Sequence, residues 1–167
     1  TQNPVVDEEG NRGIGISNAV VFSPCLLLLN THGVVGMDPM PDLTVDHPVS
    51  FFFGSSEGQF KWRIDGSPVH VSRRTAVGAH DFSVVELQKC AGKRVGWPQL
   101  DFRTPSQLKG AKLILRGVDP GKTDGKVSEV RGCRALGADP VTAGLKYNCP
   151  TEPGLSGSGV FTEDGKL

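Results

Sequence analysis

Apolar and polar residues alternate with a period of two, broken by turn signals, over residues 18–22, 25–30, 59–64, 69–72, 82–87, 111–117 and 126–131. Successive side chains of a strand point to opposite faces, so this period predicts half-buried β-strands. No stretch reads as a long amphipathic helix. Asp65-Gly66, between Ile64 and Val69, predicts a hairpin, and Asp119-Pro120-Gly121 with Asp124-Gly125 predicts a longer one. Many short antiparallel strands predict an all-β sandwich or barrel.

Glycine (22 residues) and proline (12) exceed average usage and are scattered rather than periodic, as many tight turns require. The 167 residues suit one ordinary domain, or two very small ones sharing a core. Pro98 and Pro105 flank a polar stretch, so residues 96–108 are expected to connect a first half, 13–95, to a second, 109–167. Residues 1–12 carry three acids and little apolar surface, which predicts an extended arm.

Charge narrows the partners. Eighteen Lys and Arg balance eighteen Asp and Glu, so no global field draws in nucleic acid or an anionic membrane. The longest apolar run, Cys25 to Leu29, falls far short of the ~20 residues that span a bilayer, and residues 1–11 are too polar for a signal peptide. A soluble chain is expected. The four cysteines (Cys25, Cys90, Cys133, Cys149) are widely and irregularly spaced with no Cys-x-x-Cys pair. They read as buried free thiols in a reducing compartment, with a disulfide as the lesser alternative.

Three segments carry candidate chemistry. Pro153-Gly154-Leu155-Ser156-Gly157-Ser158-Gly159 sets a serine among glycines, which permits a sharp turn with an exposed hydroxyl and converging backbone N–H groups. The bland reading is a Gly/Ser loop. Leu26 to Leu29 runs into Asn30-Thr31-His32, so His32 sits where a buried strand ends and can serve as a proton acceptor near neutral pH. Asp81 opens the alternating run Phe82 to Leu87, where a carboxylate can orient an imidazole.

The order His32, Asp81, Ser156, with these contexts, resembles the chymotrypsin-like serine proteases. Leu29-Asn30-Thr31-His32 is similar to their histidine box, Asp81-Phe82-Ser83-Val84-Val85-Glu86-Leu87 to the aspartate box, and Pro153 to Gly159 to the serine box. Within that family the chain most resembles the compact polyprotein-processing proteases of positive-strand RNA viruses, of sobemovirus, arterivirus and astrovirus type. The resemblance implies two antiparallel β-barrels of six-stranded type. Because only eleven residues follow Ser156, the second barrel is expected to be incomplete at its C-terminal end.

It also implies roles: Ser156 as nucleophile, His32 as general base and then acid, Asp81 orienting His32, and the N–H groups of Gly154 and Ser156 as the oxyanion hole. Thr151 and Pro153 would contact substrate, with Thr151 offering its hydroxyl to a Glu or Gln before the cleaved bond. Secreted digestive relatives carry an aspartate before the serine and a cysteine just beyond the histidine; here Leu155 and Gly33 stand instead. Both departures favour an intracellular viral enzyme.

Other patterns fail. Gly117 to Thr123 is one residue short of a phosphate loop and reads as a turn. Asp38, Asp42 and Asp46 are kept off one helix face by Pro39 and Pro41. His47, His70 and His80 lack metal-ligand spacing. Arg73-Arg74 and Lys93-Arg94 read as solvated pairs, and Trp62 and Trp97 as packing residues.

The expectation is therefore an all-β serine endopeptidase that cleaves a viral polyprotein in the host cytoplasm. It would need no metal or organic cofactor, and a precursor could anchor it to a membrane. The rival is an inactive protease-like β domain acting as an interaction or RNA-binding module.

Overall fold

The computed structural model describes residues 2–6, 12–31, 49–53, 62–71, 81–118, 126–152 and 154–167. The predicted turn at 119–125, the acids Asp38, Asp42 and Asp46, the pair Arg73-Arg74, and His47 and His80 lie outside the described residues. Eleven strands are described: β1 (Gln2–Val6), β2 (Arg12–Ile16), β3 (Ala19–Val21), β4 (Leu26–Leu29), β5 (Val49–Phe53), β6 (Trp62–Val71), β7 (Ser83–Leu87), β8 (Lys112–Val118), β9 (Val127–Ala138), β10 (Leu145–Tyr147) and β11 (Gly159–Thr162). One short helix, α1 (Gly92–Val95), follows β7. No helix among the described residues is long and apolar enough to cross a membrane.

The strands form two main antiparallel sheets. The first runs β3-β4-β7-β6-β5 and the second β10-β9-β8-β11, an open sheet of four strands. β1 and β2 pair separately, with Gln2 opposite Ile16 and Val6 opposite Arg12, so residues read as an extended arm include a paired strand. The period-2 pattern sorts faces as expected: Ser83, Val85 and Leu87 are buried in β7, and Glu86 is exposed. Leu27, Leu29, Phe51, Val85, Leu87 and Ala91 make one core; Leu108, Leu113, Leu115, Cys133, Ala135 and Cys149 make the other.

The hairpin predicted at Asp65-Gly66 is absent. Both residues lie inside β6, which pairs with β5 through Val49–Gly66 and with β7 through Gly66–Leu87. The glycine serves close packing instead: a Cβ there would meet Val85 Cγ1 at 2.7 Å and the Glu86 carbonyl oxygen at 2.8 Å. Pro68 is tolerated because the register shifts between Pro68 and His70, where a ladder hydrogen bond is already given up.

The cysteines are not free thiols. Cys25 is bonded to Cys90 and Cys133 to Cys149. Strand register brings each pair together. Cys25 precedes β4 and its carbonyl accepts from Leu87 N–H at 2.8 Å, at the end of β7, three residues before Cys90. Tyr147 faces Ala135 and Asn148 N–H donates to the Arg134 carbonyl, so the same register sets Cys149 against Cys133. Spacing along a chain says nothing about such contacts.

Between the sheets, Thr104 and Gln107 form a reciprocal capping box: Thr104 N–H donates to Gln107 Oε1 at 2.8 Å and Gln107 N–H donates to Thr104 Oγ1 at 3.3 Å. Leu167 runs beside this connector, donating to the Gln99 carbonyl at 2.9 Å and accepting from Asp101 N–H at 2.7 Å.

Candidate active site

The site is assembled at one end of the β3-β4-β7 ladder. β4 and β7 pair so that Leu29 faces Ser83, and the register carried two residues on sets Thr31 against Asp81. Side-chain bonds hold that continuation. Asn30 Nδ2 donates to the Asp81 carbonyl oxygen at 3.0 Å and approaches its Oδ2 at 3.4 Å. Thr31 Oγ1 and Ser83 Oγ, both fully buried, share a hydrogen bond of 3.0 Å. The chain leading to His32 is thus pinned against the chain leading out of Asp81. His32 itself lies outside the described residues, as does Pro153.

The serine loop reaches the same end from the second sheet. Leu155 N–H donates to the Glu152 carbonyl at 3.1 Å and Ser158 N–H to the Leu155 carbonyl at 3.0 Å, two turns that share Leu155, with half-buried Ser156 inside the second. Gly154 (φ +92°) and Gly157 (φ +78°) take left-handed backbone, which side chains resist. At Gly157 a Cβ would also collide with the Asn18 carbonyl oxygen. Asn18 N–H donates to the Ser156 carbonyl at 2.7 Å. Asn18 immediately precedes β3, whose Ala19 faces Leu29 of β4. The loop bearing Ser156 therefore docks where β4 runs out toward His32 and where Asp81 leads into β7.

Thr151, five residues before Ser156, is exposed, and Cys149 anchors the same segment to β9 through its disulfide. Lys93, Arg94 and Trp97 are exposed. Among the described residues no group of three or more His, Cys, Asp or Glu is disposed to hold a metal ion. The sequence reading missed Asn18, which is buried and bonds to the serine loop and to β8. Nothing local marks it, because its role appears only when residues a hundred positions apart meet.

Known structures share this fold. A Glu endopeptidase in complex with MPD superposes with a TM-score of 0.63 at 19% identity, covering 97% of this chain and 74% of that one. The HtrA-type protease AlgW with a decapeptide gives a TM-score of 0.59 at 14% identity, covering 96% of this chain, which spans 45% of that protein's length. No curated protein matches the chain significantly. Both superpositions show the chymotrypsin-like fold, two β halves with the second left as an open sheet here. Residues 17–167 match the model of the family described as trypsin-like peptidase domain, so the chain belongs to that family and is a chymotrypsin-like serine hydrolase.

Proposed function

We propose that the protein is an endopeptidase in which Ser156, His32 and Asp81 form the catalytic triad. The observation that carries this reading is the meeting of three chain segments at one end of the β3-β4-β7 ladder: the Ser156 loop on Asn18, the strand end before His32, and Asp81 on Asn30. Ser156 Oγ attacks the scissile carbonyl carbon and passes its proton to His32. The tetrahedral oxyanion accepts hydrogen bonds from Gly154 and Ser156 N–H, and the C–N bond breaks as His32 protonates the leaving amine. Water, deprotonated by His32, then hydrolyses the acyl ester and restores Ser156. Asp81 holds the imidazole in the tautomer that can accept the first proton.

Cleavage after Glu or Gln rests on exposed Thr151, by resemblance to the viral proteases, and the Glu endopeptidase of similar fold makes Glu the first residue to test. A viral polyprotein as substrate rests on the same resemblance. The two disulfides favour maturation in an oxidising compartment over the cytoplasm expected from the sequence.

The test is covalent. A serine-directed fluorophosphonate incubated with the protein should leave one adduct, which peptide mass mapping assigns to Ser156. An adduct on another residue overturns the assignment of Ser156, and no adduct on folded protein returns the domain to the class of inactive binding modules. Gly157→Ala should slow this labelling about 100-fold, since the new methyl drives the loop off Asn18 and displacements of about 1 Å cost that much.

A further inference from the structure

Asn18 belongs to the first half of the molecule, yet its hydrogen bonds described in the structure go to the second. Its N–H donates to the Ser156 carbonyl at 2.7 Å, and its Nδ2 donates to the carbonyls of Gly154 at 3.0 Å and Val118 at 3.1 Å. Its Oδ1 accepts from Val118 N–H at 2.6 Å. An asparagine side chain has two N–H donors and one carbonyl acceptor, so both donors are engaged. The orientation of the carboxamide follows: flipped, it would set its NH2 against Val118 N–H and its oxygen against two carbonyls.

Two features make this more than packing. Asn18 is 9% exposed, so each bond acts away from water, where an unmatched partner is costly. Its two targets in the serine loop are the carbonyls of Gly154 and Ser156, the same residues whose N–H groups form the oxyanion hole proposed above. Holding those carbonyls fixes the Gly154–Leu155 and Ser156–Gly157 peptide planes, and these flank the Leu155–Ser156 plane that carries the Ser156 N–H, so its direction is set before substrate arrives. Preset donors need no reorganisation as charge develops in the transition state.

We propose that Asn18 is a positioning residue for acyl transfer, its carboxamide and main-chain N–H jointly presetting the Ser156 loop to receive the oxyanion. This rests on Ser156 as the nucleophile. Asn18→Asp keeps the volume and the acceptor for Val118 N–H but replaces the donor facing Gly154 with an oxygen; Asn18→Ala removes the whole carboxamide. Both should lower the acylation rate with p-nitrophenyl acetate, per site titrated by fluorophosphonate, by about 10- to 100-fold. KM and the pH midpoint of the rate should stay at the wild-type values.

If Asn18 only fills space, Asn18→Asp acylates at the wild-type rate and the proposal falls. It falls equally if both variants fail to fold, because the residue is then structural. Wild-type protein that is not acylated at Ser156 removes the nucleophile assignment and the proposal with it. Normal wild-type acylation with an undiminished Asn18→Asp rate removes the proposal alone.

Discussion

Ser156→Ala should abolish peptide cleavage, lowering turnover on the order of 10⁶-fold, because the acyl-enzyme can no longer form and the oxyanion donors alone leave only a small residual rate. Phosphonate labelling should vanish with it. Ser156 is half-buried in the second of two turns closed by main-chain bonds to the Glu152 and Leu155 carbonyls, and neither bond uses the hydroxyl. The thermal transition should therefore stay where it is, so that loss of activity reads as loss of the nucleophile. Cleavage retained by the alanine variant would move the chemistry to another residue.

Asp81→Asn comes second in size. The variant keeps the shape of the side chain and the main-chain bond from Asn30 Nδ2 to the residue 81 carbonyl, so the strand ends remain pinned. What it removes is the charge to which the proposed triad assigns the orientation of His32 and the stabilisation of its imidazolium, so the expected loss is about 10⁴-fold in kcat. The natural control is Asp101. Arg103 donates through Nε to both of its carboxylate oxygens, at 3.0 and 3.1 Å, and holds its pKa down to about 2. Asp101 is thus committed to an ion pair with Arg103 on the connector, and Asp101→Asn should leave kcat unchanged. The opposite outcome, loss of turnover at Asp101 and not at Asp81, would reassign the acid.

The segments that carry the proposed site stand out in the sequence before the fold is known. The segment around Ser156 stands out because glycines flank the serine, and Gly154 and Gly157 do adopt left-handed backbone, as a sharp turn requires. The boxes around His32 and Asp81 are legible because each joins a buried alternating strand, and β4 and β7 prove to be direct neighbours in the sheet. Turn chemistry was less dependable. Asp65-Gly66 has the local signature of a hairpin, but the glycine is required by Val85 packing over it, and the chain runs straight through as β6. Local preference, worth of order 1 kcal/mol per residue, yields to the pairing of two neighbouring strands.

The sequence by itself determined the class of secondary structure and the buried face of strands such as β7, and it supplied the order His32, Asp81, Ser156 on which the proposed triad rests. These depend on neighbours one to five positions away, and a linear reading captures them. Only the tertiary structure decided which strands pair, that Cys25 meets Cys90 and Cys133 meets Cys149, and that Asn18 clamps a loop 136 residues distant. Such contacts arise when register and sheet closure bring remote segments within hydrogen-bonding or bonding distance, and no local pattern records them.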